Sequence, residues 1–409
     1  MKILHTSDWH IGRTLYGRKR YEEFEAFLTW LSETIQQNEV DVLLVAGDIF
    51  DTSAPSNRAQ ELYYRFLCRI AASPCRHVVV VAGNHDSPSF LNAPKELLKV
   101  LDVHVIGNAT ETPEDEVLVL CNEQDAAELI VCAVPYLRDR DIRVAEAGES
   151  VADKESKLIE GIRSHYSAIA AIAEQKKAEA GSNIPIVAMG HLFAAGGQTI
   201  DGDGVRELYV GSLAHVATKI FPECFTYLAL GHLHVPQKMS GSDVMRYSGS
   251  PLPMGFGEAK QQKSVCQVEF HSSSASVQLI DVPVFQKLER VKGDWDGIAK
   301  RLLELTAADS QAWLEVIYEG DEVIGDLQER LDAAIHGSQL EILRVKNNRI
   351  IDRVLGQIHQ EETLDDLNEN EVFERCLALH EVPEEQRPEL LRAYQEAVAS
   401  LLEDDIQAE

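Results

Sequence analysis

Asp8, His10, Asp48, Asn84, His191, His232 and His234 form a mixed set of oxygen and imidazole donors without a thiolate, the composition of a site for divalent cations. Two such cations roughly 3.5–4 Å apart need one bridging carboxylate and several terminal ligands, and a pair of this kind stabilises the attacking and leaving oxygens of a phosphoryl displacement. Asp48 is the natural bridge. Asp8, His10 and His234 can complete one ion's shell, and Asn84, His191 and His232 the other's. A neutral Asn in place of a further carboxylate limits the negative charge and leaves the ions electrophilic. The set fits Mn²⁺, Fe or Zn²⁺ and does not choose among them.

His85 has a different task from Asn84. Adjacent residues at a tight turn point different ways, so if Asn84 faces a metal, His85 can reach over the substrate as a general acid or as a donor to developing charge. Asp51, three residues after Asp48, could orient and charge His85, because a carboxylate partner raises an imidazole's pKa. Asp86 would buttress the turn.

These residues share a local pattern that says what positions them. Lys2-Ile3-Leu4-His5-Thr6-Ser7 runs into Asp8-Trp9-His10, Val42-Leu43-Leu44-Val45-Ala46-Gly47 into Asp48, Val78-Val79-Val80-Val81-Ala82-Gly83 into Asn84, Ile186-Val187-Ala188-Met189-Gly190 into His191, and Tyr227-Leu228-Ala229-Leu230-Gly231 into His232. Each apolar run reads as a buried strand ending in a tight turn, and four of the five place Gly directly before the donor. Ligand and catalytic groups collect at the C-terminal edges of strands in α/β sheets, so one rim is expected to gather all five ends. His5, His77, His104, His165, His215, His271 and His336 lack that context and read as structural.

Strand-like runs alternate with helical patterns over residues 21–37, 60–72 and 151–180, which gives an α/β core over residues 1–282. From residue 203 to 278 the strands come closer together, as a β-rich second half of the same sheet system. Past Val282-Pro283 the pattern reads strand 285–290, helix 295–305, strand 313–318, helix 324–336 and strand 340–346, a compact βαβαβ unit that makes residues 283–347 a small separate α+β domain. Residues 348–409 are a linker and tail, with two short amphipathic helices that have little core of their own and could fold back on the protein or, the favoured reading, dock on a partner helix.

The 409 residues suffice for two or three domains, and 45% hydrophobic content is ordinary for a globular protein. No run approaches the roughly 20 apolar residues of a membrane span and no signal peptide is evident, so no membrane partner and a cytoplasmic location are expected. Seven scattered cysteines without CxxC pairs suggest reduced thiols. The net charge of −29 argues at first sight against nucleic acid. Its distribution softens that: residues 1–100 carry 11 Lys/Arg against 12 Asp/Glu, whereas residues 361–409 carry 3 against 16. The acidity belongs to the tail rather than to the rim.

The order Asp8-x-His10, Gly47-Asp48-x-x-Asp51, Gly83-Asn84-His85-Asp86, Gly190-His191 and Gly231-His232-x-His234 resembles the calcineurin-like metallophosphoesterase superfamily across all five blocks. The stretches 3–12, 47–52 and Tyr247-Ser248-Gly249-Ser250-Pro251 resemble, within it, the SbcD nuclease family, over essentially the whole chain. The resemblance implies an α/β fold, a metallophosphoesterase β-sandwich flanked by helices, with a capping domain at 283–347 and a partner-binding helical tail. It implies a DNA nuclease using two divalent metal ions, Mn²⁺ being the expected pair, with 3′→5′ double-strand exonuclease and single-strand or hairpin endonuclease activity. The implied partners are DNA, a second copy of the chain through the nuclease domain, and an SbcC-type ATPase in a heterotetramer with two copies of each subunit, nucleoid-associated when on DNA. No GxxxxGK[ST] loop occurs here, consistent with ATP belonging to that partner. DNA grip is expected from Arg13, Arg18, Lys19, Arg20 and Arg58. A metallophosphatase or cyclic-nucleotide phosphodiesterase would share every ligand, but the added βαβαβ unit and the absence of the Gly-Asp-x-x-Asp-Arg-Gly and Gly-Asn-His-Glu variants of protein phosphatases stand against it. A scaffold that has lost catalysis is disfavoured by the complete ligand set and His85.

Overall fold

Alternation along the central strands decides the architecture. A computed structural model describes residues 1–110, 112–143, 149–180, 183–194, 218–271, 274–320 and 324–347, together with Leu377, Arg387, Leu390 and Tyr394. The chain forms two compact units, Met1–Phe285 and Gln286–Glu409. In the first unit Leu4, Leu43, Val45, Val78 and Val80 face one apolar cluster, while Ile3, Val42, Leu44, Val79 and Val81 face another. A strand whose two faces are both apolar must be covered on both sides. One cover is helical and the other is a second sheet.

The first sheet is six-stranded, in the order Ser274–Asp281, Ser264–His271, Lys2–Thr6, Val42–Ala46, His77–Val81, Val103–Ile106. Its last four strands are parallel, and Ser264–His271 runs antiparallel to Lys2–Thr6. The second, also six-stranded, runs Gln237–Met239, Ser242–Tyr247, Tyr227–Gly231, Ile186–His191, Ala127–Ala133, Val117–Cys121. The expected single sheet system is therefore two sheets. Leu129, Val131, Val187, Met189, Tyr227 and Ala229 of the second sheet complete the cluster that the first sheet's inner face begins. Each such aliphatic side chain, fully buried, contributes about 1.5–3 kcal/mol.

Helices close the outer faces. Tyr21–Gln37 buries Phe24, Phe27, Leu28, Leu31 and Ile35, and Asn57–Ala71 buries Leu62, Tyr63, Phe66, Leu67 and Ile70, both at helical spacing against the first sheet's cluster. Ser56 caps the second of these, its hydroxyl accepting from Ala59 N–H at 3.2 Å. Val151–Ala180 sets Leu158, Ile162, Tyr166, Ile169 and Ala173 against the second sheet. The result is a four-layer α/β/β/α sandwich whose catalytic-type strand ends come from two facing sheets, three from the first and two from the second. Among the described residues no helix is long and apolar enough to cross a membrane, and the six described cysteines are free.

In the second unit Leu288–Gly293, Trp313–Tyr318 and Glu341–Asn347 form a parallel three-stranded sheet joined by Trp295–Ala307 and Leu327–Ile335. The first strand starts later than the expected 285 because Phe285 packs against the first unit's core instead. Val291, Ile298, Leu302, Leu314, Val316 and Leu331 make this unit's own core. The two tail helices expected beyond residue 348 fall almost wholly outside the described residues, as do His215 and the strand-like stretch 203–217.

Candidate metal centre

Asp8, His10, Asp48 and His232 all adopt positive φ, at 54°, 47°, 51° and 105°. Such values are uncommon for residues other than glycine, and their concentration on four donor residues marks a backbone held in place by its surroundings. A set of hydrogen bonds across the rim holds it. Asp8 N–H donates to the Gly47 carbonyl and His10 N–H to the Asp48 carbonyl, each at 3.0 Å. His232 N–H donates to Asp8 Oδ1 and His85 N–H to Asp48 Oδ1, each at 2.9 Å. Asp86 accepts from the N–H groups of Gly83, Ile49 and Phe50 at 2.8, 3.2 and 3.0 Å. Burial, and then the nearby Asp48 carboxylate, push its pKa up to about 6. It ties the Asn84–His85 turn to the Asp48 loop.

The glycines before the donors have a steric reason. A Cβ on Gly47 would collide with the His191 ring, one on Gly83 with the Asp48 carboxylate, one on Gly190 with the Tyr166 hydroxyl, and one on Gly231 with the Ala46 carbonyl. The strand ends, and at Gly190 the helix Val151–Ala180, can approach this closely only where these positions carry no side chain.

Two donor groups gather the expected ligands, Asp8 with His10 and His234, and Asp48 with His191 and His232, and a third, His10 with Asp51 and His85, adjoins them, one donor atom from each residue of a group lying within 4.8 Å of the others. All six residues of the first two groups are buried. His10 Nε2 and His234 Nε2 face each other at 3.2 Å. Asp48 Oδ2 stands between the first two groups, 3.6 Å from His10 Nε2 and 3.3 Å from His191 Nε2. Asn84 Oδ1 lies 3.0 Å from His191 Nε2 and 3.2 Å from His232 Nδ1. Protons are unevenly shared in this cluster. Burial opposes charge on His191, but the Asp48 carboxylate outweighs it and raises its pKa to about 9. His232 is held well below its ordinary value by burial and by the charge on His191. Asp48, despite burial, is held well below the carboxylate range by His191, His10 and His85. Buried carboxylates facing buried imidazoles are a donor set that fits two divalent cations sharing Asp48, a cation taking the place of the proton that Asp48 otherwise holds on His191.

The far nitrogens of three of these rings face an oxygen as well, His191's within hydrogen-bond distance and the other two at ion-pair range. His191 Nδ1 lies 2.9 Å from the Ala46 carbonyl, His10 Nδ1 3.3 Å from Asp51 Oδ1, and His234 Nδ1 3.6 Å from Glu258 Oε1. Partners of this kind fix ring orientation and basicity. Glu258 is itself buried and ion-paired with buried Lys263, whose ammonium also donates to the His234 carbonyl and to Ser250 Oγ, both at 3.0 Å. Burial would raise Glu258's pKa, yet Lys263 and His234 hold it below its ordinary value. Sequence reading missed Glu258 and Lys263. The one signal available was a charged residue beside Met254 and Phe256, soon after the stretch 247–251.

His85 is buried beside His10, their ring centroids 4.8 Å apart. The direct partner of His85 is the Asp51 main chain rather than the carboxylate expected to orient it, although one donor atom from each of His10, Asp51 and His85 falls within 4.8 Å of the others. His85 Nδ1 lies 2.8 Å from the Asp51 backbone carbonyl, while the Asp51 carboxylate faces His10 Nδ1 and Arg13 Nη1 at 3.3 and 3.1 Å. Burial opposes its ionisation, but His10 and Arg13 pull its pKa down to about 2. The loop geometry decides this, since the chain at Asp51 turns its carbonyl inward and its side chain back toward His10.

The expected DNA-gripping cations separate. Arg20 is buried, its Nε and Nη2 donating to the two Glu23 carboxylate oxygens at 2.7 and 2.9 Å and its Nη1 to the Pro253 carbonyl at 2.8 Å. It is a structural residue and not a surface contact. Arg13 is half-buried on Asp51. Arg18 and Lys19 are exposed on a short ribbon, and Arg58 is exposed with its guanidinium 4.8 Å from the Tyr21 ring centroid.

Residues 1–236 match the model of the calcineurin-like phosphoesterase family, and residues 284–381 match one described as the type 5 capsule protein repressor C-terminal domain. The chain is 36% identical over 394 residues to SbcD of the SbcCD nuclease of Escherichia coli strain K12, covering 95% of this chain and 96% of that protein. It is 32% identical over 358 residues to the protein of that name from Rhodobacter capsulatus, covering 84% and 86%. The corresponding protein of Bacillus subtilis is 36% identical over 273 residues, 66% of each chain.

Proposed function

The chain belongs to the SbcD family of calcineurin-like phosphoesterases, and from that premise we propose that it is the metal-dependent DNA nuclease component of a complex acting in DNA end processing, recombination and repair. The reading extends to 3′→5′ exonuclease action on duplex ends and endonuclease action on single strands and hairpins, with Mn²⁺ as the working ion and an SbcC-type ATPase as gate. The assembly is taken as two copies of each subunit, paired through the nuclease domain, in the cytoplasm and on the nucleoid.

The single observation that carries the proposal is the position of Asp48 Oδ2 between His10 and His191, with Asn84 completing one side and His234 the other. Bound there, two divalent ions would polarise a phosphodiester oxygen and activate a water molecule. The chain's own residues do the rest. Asp8, His10 and His234 would hold one ion, and Asn84, His191 and His232 the other, with Asp48 shared. His85 receives its orientation from the Asp51 carbonyl, which fixes a proton on Nδ1 and leaves Nε2 to meet the phosphate or the leaving oxygen. Residues 283–347 act as a cap that selects DNA ends, and the tail docks on the ATPase partner.

The test is digestion of end-labelled linear and hairpin duplex DNA with Mn²⁺, with and without an SbcC-type ATPase and ATP. Cleavage of duplex ends that needs the partner and ATP is the expected result. Turnover of a small phosphodiester with no DNA cleavage under any condition would move the assignment to a phosphodiesterase of the same superfamily.

A further inference from the structure

At the opposite end of the sandwich, His77 opens the strand His77–Val81, whose far end leads to Asn84 and His85. His104 lies on the neighbouring strand Val103–Ile106, paired in parallel with Val79 opposite His104. Residues two apart on a strand share a face, so His77 and His104 project from the same side of the sheet. That side is the inner one, because Val79 belongs to the cluster between the two sheets. Asp102 immediately precedes this strand, and one donor atom from each of His77, Asp102 and His104 falls within 4.8 Å of the others. Both rings are half-buried and Asp102 is exposed. This is the mouth between the sheets, remote from the catalytic rim by about five residues of strand, ~16 Å.

His77 carries the decisive geometry. Its Nε2 lies 2.8 Å from the Cys121 carbonyl, which can only accept, so in the neutral ring the proton sits on Nε2. Nδ1 is then a bare acceptor, and it is buried with no hydrogen-bond partner among the described residues. An unmet buried acceptor is a standing cost to the fold. A carbonyl on one nitrogen that fixes the tautomer and leaves the other bare is how ligating imidazoles are held. Two imidazoles and one carboxylate are a donor set for Zn²⁺. His104 also lines a cavity of about 470 Å³, which neither His77 nor Asp102 lines.

We propose that His77, Asp102 and His104 form a second metal site, for a zinc-class divalent cation, distinct from the phosphoesterase centre and serving to clip the strands His77–Val81 and Val103–Ile106 at the sandwich mouth. The reading of these two histidines as merely structural, natural from sequence, gives way because the turn at Asp102 brings a carboxylate to them.

The test titrates Zn²⁺ into the full chain against a chromophoric chelator, beside His104→Gln, Asp102→Asn and Asp48→Asn, with melting curves in EDTA to establish that each variant is folded. His104→Gln and Asp102→Asn should each lose one tight equivalent while keeping Mn²⁺-dependent cleavage. Asp48→Asn should lose equivalents at the phosphoesterase centre and retain this one. Zn²⁺ should raise the melting temperature of Asp48→Asn and fail to do so once His104→Gln is added. Unchanged stoichiometry in both site variants, or a lost equivalent seen only at roughly millimolar Zn²⁺, meaning an adventitious ion only, would overturn the site.

Discussion

The Nδ1 of His85 rests 2.8 Å from the backbone carbonyl of Asp51, while the Asp51 carboxylate turns to His10. The two residues are coupled through main chain, so altering either side chain should have a different consequence. His85→Ala is expected to lower DNA cleavage by about 10²–10⁴-fold, the usual worth of a positioned proton donor, with Mn²⁺ binding and DNA binding retained. Asp51→Asn keeps the carbonyl and so keeps His85 in place. It should act instead through His10, weakening Mn²⁺ by about 10–100-fold with activity recovered at high Mn²⁺. Calorimetric Mn²⁺ titration beside single-turnover cleavage separates the two; loss of metal binding in His85→Ala would sink this division of roles.

Glu258 joins a buried ammonium to His234, and its removal should therefore do two things at once. Glu258→Gln leaves Lys263 without its carboxylate partner, a loss of about 3–5 kcal/mol for a buried pair, and releases the His234 ring from its carboxylate. Adding Lys263→Met should restore much of the melting temperature, because no unpaired charge remains. It should leave Mn²⁺ affinity depressed by about 10–100-fold, because His234 still lacks the Glu258 carboxylate. Recovery of stability and affinity together would mean that Glu258 acts only through packing.

Arg20, which stands at the N-cap of the helix Tyr21–Gln37, and its exposed neighbours on the ribbon before it should divide between stability and DNA. Arg20→Ala breaks a bidentate buried pair and should cost about 3–5 kcal/mol of stability with little change in DNA affinity once the protein is folded. Arg18→Ala and Lys19→Ala should leave the melting temperature alone and weaken DNA binding, each reducing the salt slope by about 0.9. Urea unfolding and fluorescence anisotropy at several salt concentrations read both. Arg18→Ala and Lys19→Ala with unaltered salt slopes would remove the ribbon from the DNA path.

Where sequence reading succeeded and failed has a physical pattern. The helices at 21–37 and 151–180 and the strand ends were legible because they rest on local periodicity and on glycines that the chain needs wherever two backbones meet. The division into two sheets was not legible, since strand pairing between Ile186–His191 and Tyr227–Gly231 is a long-range choice that local pattern does not encode. Glu258 and Lys263 escaped for the same reason, each meaningless until the loop folds under His234. Arg20 misled because a cation followed by Glu23 on a helix start looks the same exposed or buried. Asp51 was legible as a neighbour of His85 but not in its main-chain contact, because a carbonyl's direction is set by loop geometry that residue types do not encode.

His5 gives a pH signature that belongs to the fold rather than to the metal centre. It is fully buried, with Nδ1 2.9 Å from the Tyr227 hydroxyl, a bond between the two sheets. Burial, aided by the charge of Arg246, lowers its pKa to about 3 from an ordinary 6.5. The folded state therefore resists the proton that the unfolded chain accepts. Its contribution is complete above about pH 6.5 and is lost progressively as pH falls toward about 3, at roughly 1.4 kcal/mol per unit. Between about pH 7.5 and pH 5 the wild-type chain should lose about 2 kcal/mol that His5→Gln, which can still hydrogen-bond Tyr227, does not lose. Urea unfolding of both proteins in EDTA at the two pH values measures the difference, in which the titration of the shared metal-centre histidines cancels. Parallel losses in the two proteins would show that His5 is not the group that titrates.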